Sequence, residues 1–249
     1  MQPAMQWRLP RRLREISGLA VTPDGRVMAH DDELAVIYEI DVATGDTVKR
    51  FGLGAPILRG DFEGLAITDA GDFYLTTSTG LVYRFAEGDD RASVPFEMFD
   101  VGLSHVAEIE GLAYHSGQQT LVFACKTNYV ADMRHALALQ AWSPRAPANP
   151  AAPWLTVPAA SIAGAVGAQS FHPSGIEIDP QSGRLVVLAS RENALAEIDA
   201  SGALLAARRL GHAHPQPEGV TILADGALLI TDEGGHGHAC MTRYARTHV

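Results

Sequence analysis

Three glutamates recur in one local setting: Glu63 in Asp61-Phe62-Glu63-Gly64-Leu65, Glu110 in Glu108-Ile109-Glu110-Gly111-Leu112, and Glu218 in Gln216-Pro217-Glu218-Gly219-Val220. Carboxylates brought together by a fold repel unless they take up protons or bind a cation. Ca2+ suits such a set, because it takes six to eight oxygen ligands from carboxylates, carbonyls, amides and water. Asp232, in Thr231-Asp232-Glu233, joins the three glutamates as a candidate calcium ligand. A plainer role is open to the same residues: accepting hydrogen bonds from nearby backbone, or pairing with Lys126 and Arg191, so that they only hold neighbouring segments in register. Asp31, Lys126, Asn128 and Arg191 are candidate ligand contacts, and His30 and His172 are candidate general bases. A second constellation, His212, His214, His236, His238 and Cys240, has the imidazole and thiol chemistry of a zinc site. Its glycine-rich context, Glu233-Gly234-Gly235-His236-Gly237-His238, reads first as a mobile loop.

The elements that must position these residues follow from a repeat. The glutamate phrases belong to a series of five, completed by Glu15-Ile16-Ser17-Gly18-Leu19 and His172-Pro173-Ser174-Gly175-Ile176. The glycines are spaced by 46, 47, 64 and 44 residues, a period typical of propeller blades. Within each unit, short apolar segments alternate with turn residues, as in Val27–His30 after Pro23-Asp24-Gly25, which predicts all-β structure. The fifth unit is one strand short, and the segment Met5–Leu9 precedes the first unit with no blade of its own. Pairing the two chain ends closes a ring and removes its open edge. The expectation is therefore one domain over residues 1–249, a five-bladed β-propeller of four-stranded blades closed by the N-terminal strand. A six-bladed ring is the alternative, because the 64-residue step leaves room for extra chain. That step is otherwise absorbed by a connection at 126–135 and a Pro-Ala surface loop at 143–153. Residues 159–168 are the one helical candidate. In a propeller, the loop leading into each innermost strand and the loop after the second strand lie on one face, which gathers the candidate residues at the channel mouth. The glycine after each glutamate lets the innermost strand enter the crowded centre.

Composition narrows the function classes. The net charge is −10, which disfavours nucleic acid as a main partner. Arg8, Arg11, Arg12 and Arg14 read as charges guarding an edge strand. Two cysteines make no disulfide framework, and Cys125 sits in an apolar strand as a small hydrophobe. No apolar run reaches membrane-helix length. The N-terminus lacks the apolar core of an export signal, so the expected form is a cytoplasmic monomer, or periplasmic if a leader has been removed.

The ordered phrases, with Thr231-Asp232-Glu233 at the close, resemble the SdiA-regulated (YjiK-like) family of bacterial β-propellers over nearly the whole chain. The fourth phrase departs, with His172-Pro173 where an acid would stand. The resemblance implies kinship with NHL-repeat, phytase-like esterase and calcium-dependent lactonase propellers, and with it a calcium site. The expected function is a calcium-binding propeller that binds or senses a small ligand at the channel mouth. The alternatives are a calcium-dependent hydrolase of a phosphoester or lactone, with His30 or His172 as base, and a protein-interaction scaffold.

Overall fold

Turns cut the chain into short strands. At Pro23-Asp24-Gly25, for example, Gly25 takes φ +88, which a residue with a Cβ adopts only under strain. The strands assemble into five antiparallel sheets, in a computed structural model that describes residues 3–150 and 152–245.

From the axis outward, blade one is Ile16–Val21, Val27–Asp31, Val36–Ile40 and Thr47–Leu53, with Ser93–Val94 added in parallel at its rim. Blade two is Phe62–Ile67, Phe73–Thr77, Leu81–Phe85 and Phe96–Asp100. Blade three is Ala107–His115, Thr120–Asn128, Ala136–Trp142 and Leu155–Pro158, and blade four is Gly175–Ile178, Leu185–Ala189, Ala194–Ile198 and Leu204–Arg209. Blade five is Pro217–Ile222, Leu228–Asp232 and Cys240–Tyr244, completed by the N-terminal strand Met5–Arg8 in the register Trp7 opposite Met241. The innermost strands touch in a closed cycle, one to two, two to three, three to four, four to five and five back to one. The ring has five blades, not six: beyond blade three's own strands, the long step holds only loops, a short 3-10 turn at Ala131–Met133 and the helix Ala159–Ala165. The helix is shorter than 159–168 because Gly167 leaves helical geometry at φ +64. Part of the 143–153 loop, Ala151, lies outside the described residues.

The apolar core lies between blades. Ile37, Phe51 and Leu53 of blade one pack on Leu65, Phe73 and Phe85 of blade two. Val122, Leu137 and Leu139 of blade three pack on Ile176, Leu185 and Val187 of blade four. Leu19, Val27 and Ala29 of blade one meet Leu229 and Met241 of blade five, which fastens the seam of the ring. Each such Leu or Phe contributes about 1.5–3 kcal/mol by leaving water. Cys125 is buried in the core between blades two and three, and burial pushes its thiol up to about 12, so it is inert packing. Arg8 lies in the outermost strand of blade five, at a sheet edge. Among the described residues no helix is long and apolar enough to cross a membrane.

Candidate functional site

The glutamate–glycine phrase is a β-bulge. Pairing of the innermost strand with its neighbour skips between Ile16 and Gly18, Phe62 and Gly64, Ile109 and Leu112, and Pro217 and Gly219. The skipped residues include Ser17, Glu63, Glu110 and Glu218. A bulge re-aims the extra side chain out of the regular alternation. The following glycine is required by closeness to the next blade: a Cβ on Gly64 would sit 2.5 Å from the Leu112 backbone nitrogen. Gly111 itself takes φ +145 within the third bulge. Blade four has no bulge in its innermost pair. Its Gly175 pairs in register with Leu188, and Ser174 uses its hydroxyl to donate to the Pro217 carbonyl at 2.7 Å in blade five.

The bulged glutamates form a crowded acidic mouth. Burial pushes the Glu63 carboxyl up to about 9, helped by the nearby charges of Glu110 and Asp61. Burial, then Glu233 and Glu110, pushes Glu218 up to about 8. Glu110 is also raised by burial, against the pull of Lys126, whose ammonium donates to its Oε1 at 2.6 Å. Ser17 donates to Glu63 across the blade boundary at 3.4 Å.

Beside them, Glu15, Asp32 and Glu233 each bring a carboxylate oxygen within 4.8 Å of the others. Among the described residues this is the one group of three or more His, Cys, Asp or Glu so disposed. The three come from blades one and five and meet only because the ring closes there. Burial, then Asp32, Glu15 and Glu110, pushes Glu233 up to about 7, and burial, then Asp31, Glu15 and Glu33, pushes Asp32 up to about 6. Asp32 Oδ1 is buried with no hydrogen-bond donor. An all-oxygen set at this spacing fits a hard cation, since two oxygens on opposite sides of Ca2+ stand about 4.6–5.2 Å apart.

The other sequence-derived candidates fall into three groups. Glu63, Glu110 and Glu218 share the mouth. Asp232 is buried behind it, accepting from His214 Nδ1 at 2.6 Å and from the Gln216 amide at 3.1 Å, so both its oxygens are engaged. Asp31 Oδ1 accepts from the amides of Glu33 and Leu34 and shapes the loop. His30 is fully buried under Gly18, where a Cβ would lie 2.6 Å from its Nε2, and desolvation holds it down at about 4. It has no access to a substrate at the mouth. Arg191 is exposed and pairs with none of the glutamates. The histidine constellation does not assemble: His214 is buried between Asp232 and the Tyr244 hydroxyl, 2.5 Å from its Nε2, while His212, His236 and His238 are exposed.

Lys126, Asn128 and His172 do meet, in a pocket of about 670 Å³ between blades three and four. His172 is fixed there by Glu192, which accepts from its Nδ1 at 2.8 Å and its backbone amide at 3.0 Å. Glu15, Asp32, Glu233 and Glu192 were not among the residues singled out for chemistry. The first three were legible only as loop acids on the same face, and Glu192 as one acid in the loop after a second strand.

With this geometry in view, comparison with known proteins adds the following. The sequence model of the family described as SdiA-regulated matches residues 159–240, which hold the helix, blade four and the two inner strands of blade five. Together with the propeller neighbours, this supports the resemblance drawn from the repeated phrases. Glutaminyl cyclase from Myxococcus xanthus is similar in structure, with a TM-score of 0.63 at 14% identity over 98% of this chain and 95% of that one. The PQQ-bound form of aldose sugar dehydrogenase from Streptomyces coelicolor has a TM-score of 0.58 at 14% identity, covering 97% of each chain. At such identities the likeness is one of fold alone. No curated protein sequence matches the chain.

Proposed function

We propose that this propeller binds a divalent cation, Ca2+ by its donor chemistry, at the channel mouth, and that the cation organises the face where a small ligand is bound or sensed. The observation that carries this reading is the triad Glu15, Asp32 and Glu233, with ligand oxygens within 4.8 Å of one another. The unpartnered Asp32 Oδ1 supports it. So do the raised carboxyls of Glu218 and Glu63, which mark a buried mouth crowded with acids. Within the sequence-derived set, Glu63, Glu110 and Glu218 flank this triad, and Asp232 serves as a support behind it.

Hydrolysis of a phosphoester or lactone would be a stronger form of the same reading. It requires a base beside the metal, and His30 is buried while His172 lines a different pocket. A scaffold role draws nothing from acids gathered at the axis. Binding is therefore the reading adopted.

The test is calorimetric titration of metal-free protein with Ca2+, backed by Tb3+ luminescence. One site per chain is expected, weakened at least about 100-fold in the triple variant Glu15→Gln, Asp32→Asn, Glu233→Gln. Unchanged affinity in that variant, or no uptake at millimolar Ca2+ by the parent, rejects the reading.

A further inference from the structure

The pocket between blades three and four has the opposite character to the mouth. The chain as a whole carries −10, yet the residues lining this pocket include Lys126, Arg134, His135 and His172 and no Asp or Glu. Arg134 and His135 are exposed and enter no ion pair among the described residues. The carboxylate that holds His172, Glu192, is buried and already engaged by three donors: the Ser170 hydroxyl at 2.9 Å, the His172 amide at 3.0 Å and His172 Nδ1 at 2.8 Å. Those bonds lock the imidazole and leave Nε2 as its one free ring nitrogen. Asn128 is likewise held, donating to the Ala136 carbonyl at 3.1 Å. Phe171 and the helix residues Ala159 and Ala160 supply apolar wall. A guanidinium presents a planar fork that matches carboxylate and phosphate oxygens, and a lysine adds a point charge. The volume, about 670 Å³, is that of a site for a small organic molecule.

We propose that this pocket is a second site, which binds a small organic anion: a phosphate or carboxylate head held by Arg134 and Lys126, and an apolar body against Phe171. The inference does not need the metal reading, since none of Glu15, Asp32 and Glu233 lines the pocket; Lys126, which lines it and pairs with Glu110, links the two regions.

Phenyl phosphate and phenylacetate carry the same body with different heads. Titrating each into the full chain in EDTA keeps the result independent of calcium. Saturable binding of at least one probe, at one per chain, is expected, and the tighter probe identifies the head. Arg134→Ala should weaken it about tenfold, while Arg12→Ala, at an exposed arginine outside the pocket, leaves it unchanged. Two results overturn the proposal: neither probe saturates at tens of millimolar, or the two arginine variants behave alike. Both substituted side chains are exposed, so both variants are expected to fold.

Discussion

The channel mouth and the pocket between blades three and four draw on the same two positions of the repeat, the lead-in to the innermost strand and the loop after the second strand, yet they carry opposite charge. At the mouth the lead-in residues are bulged, and Glu63, Glu110 and Glu218 crowd together with Lys126 paired to Glu110. In blade four the innermost pairing is regular, Ser174 takes the glutamate position, and the preceding His172 is bonded to Glu192. The difference teaches that the bulge, more than residue type, decides whether a lead-in side chain joins the axis or serves a site one blade boundary away. A repeat that departs from its siblings is then informative: blade four does not lack the acidic site so much as make room for another.

The largest effect that would test this contrast is the pH dependence of the metal-free fold. Glu63, Glu218, Glu233 and Asp32 all have folded values raised by burial and by neighbouring acids, to about 9, 8, 7 and 6. Between its unfolded and folded values, each binds more proton in the folded state than in the unfolded one. Their contribution is therefore fully present below the unfolded values, near pH 4, and is lost as pH rises through the folded ones. Melting temperature in EDTA should fall between about pH 5 and 9, and saturating Ca2+ should restore it in the upper part of that range. A flat profile without metal would mean that the mouth acids are not crowded as described.

A smaller effect isolates the residue between the two regions. Lys126→Met removes a cation that competes for Glu110 and also lines the pocket. Calcium affinity should rise about fivefold, near 1 kcal/mol, while phenyl phosphate affinity falls. Parallel titrations check this, and movement in the same direction at both sites would erase the contrast.

The smallest effect concerns the helix beside the pocket. A Cβ on Gly164 meets nothing within 4 Å, so Gly164→Ala should stabilise the protein by at most about 1 kcal/mol in thermal or urea denaturation. The mouth glycine Gly64 has no such freedom, because the next blade's backbone fills the space.

What the amino-acid order determined by itself was the architecture. The five phrases, the turn residues between them and the strand left over at the N-terminus specify blade count, strand order and closure, because turn geometry and two-residue alternation act over a few neighbouring residues. The same order placed Glu63, Glu110, Glu218, Lys126, Asn128 and His172 on one face. Only the tertiary structure decided which of those side chains meet. Glu15, Asp32 and Glu233 come together across the seam between blades one and five, His30 fills the space that Gly18 leaves empty, and Asp232 is taken up by His214. These outcomes depend on how deep a side chain lies and which blade it packs against, and both are set by sheet-on-sheet contact between segments far apart along the chain.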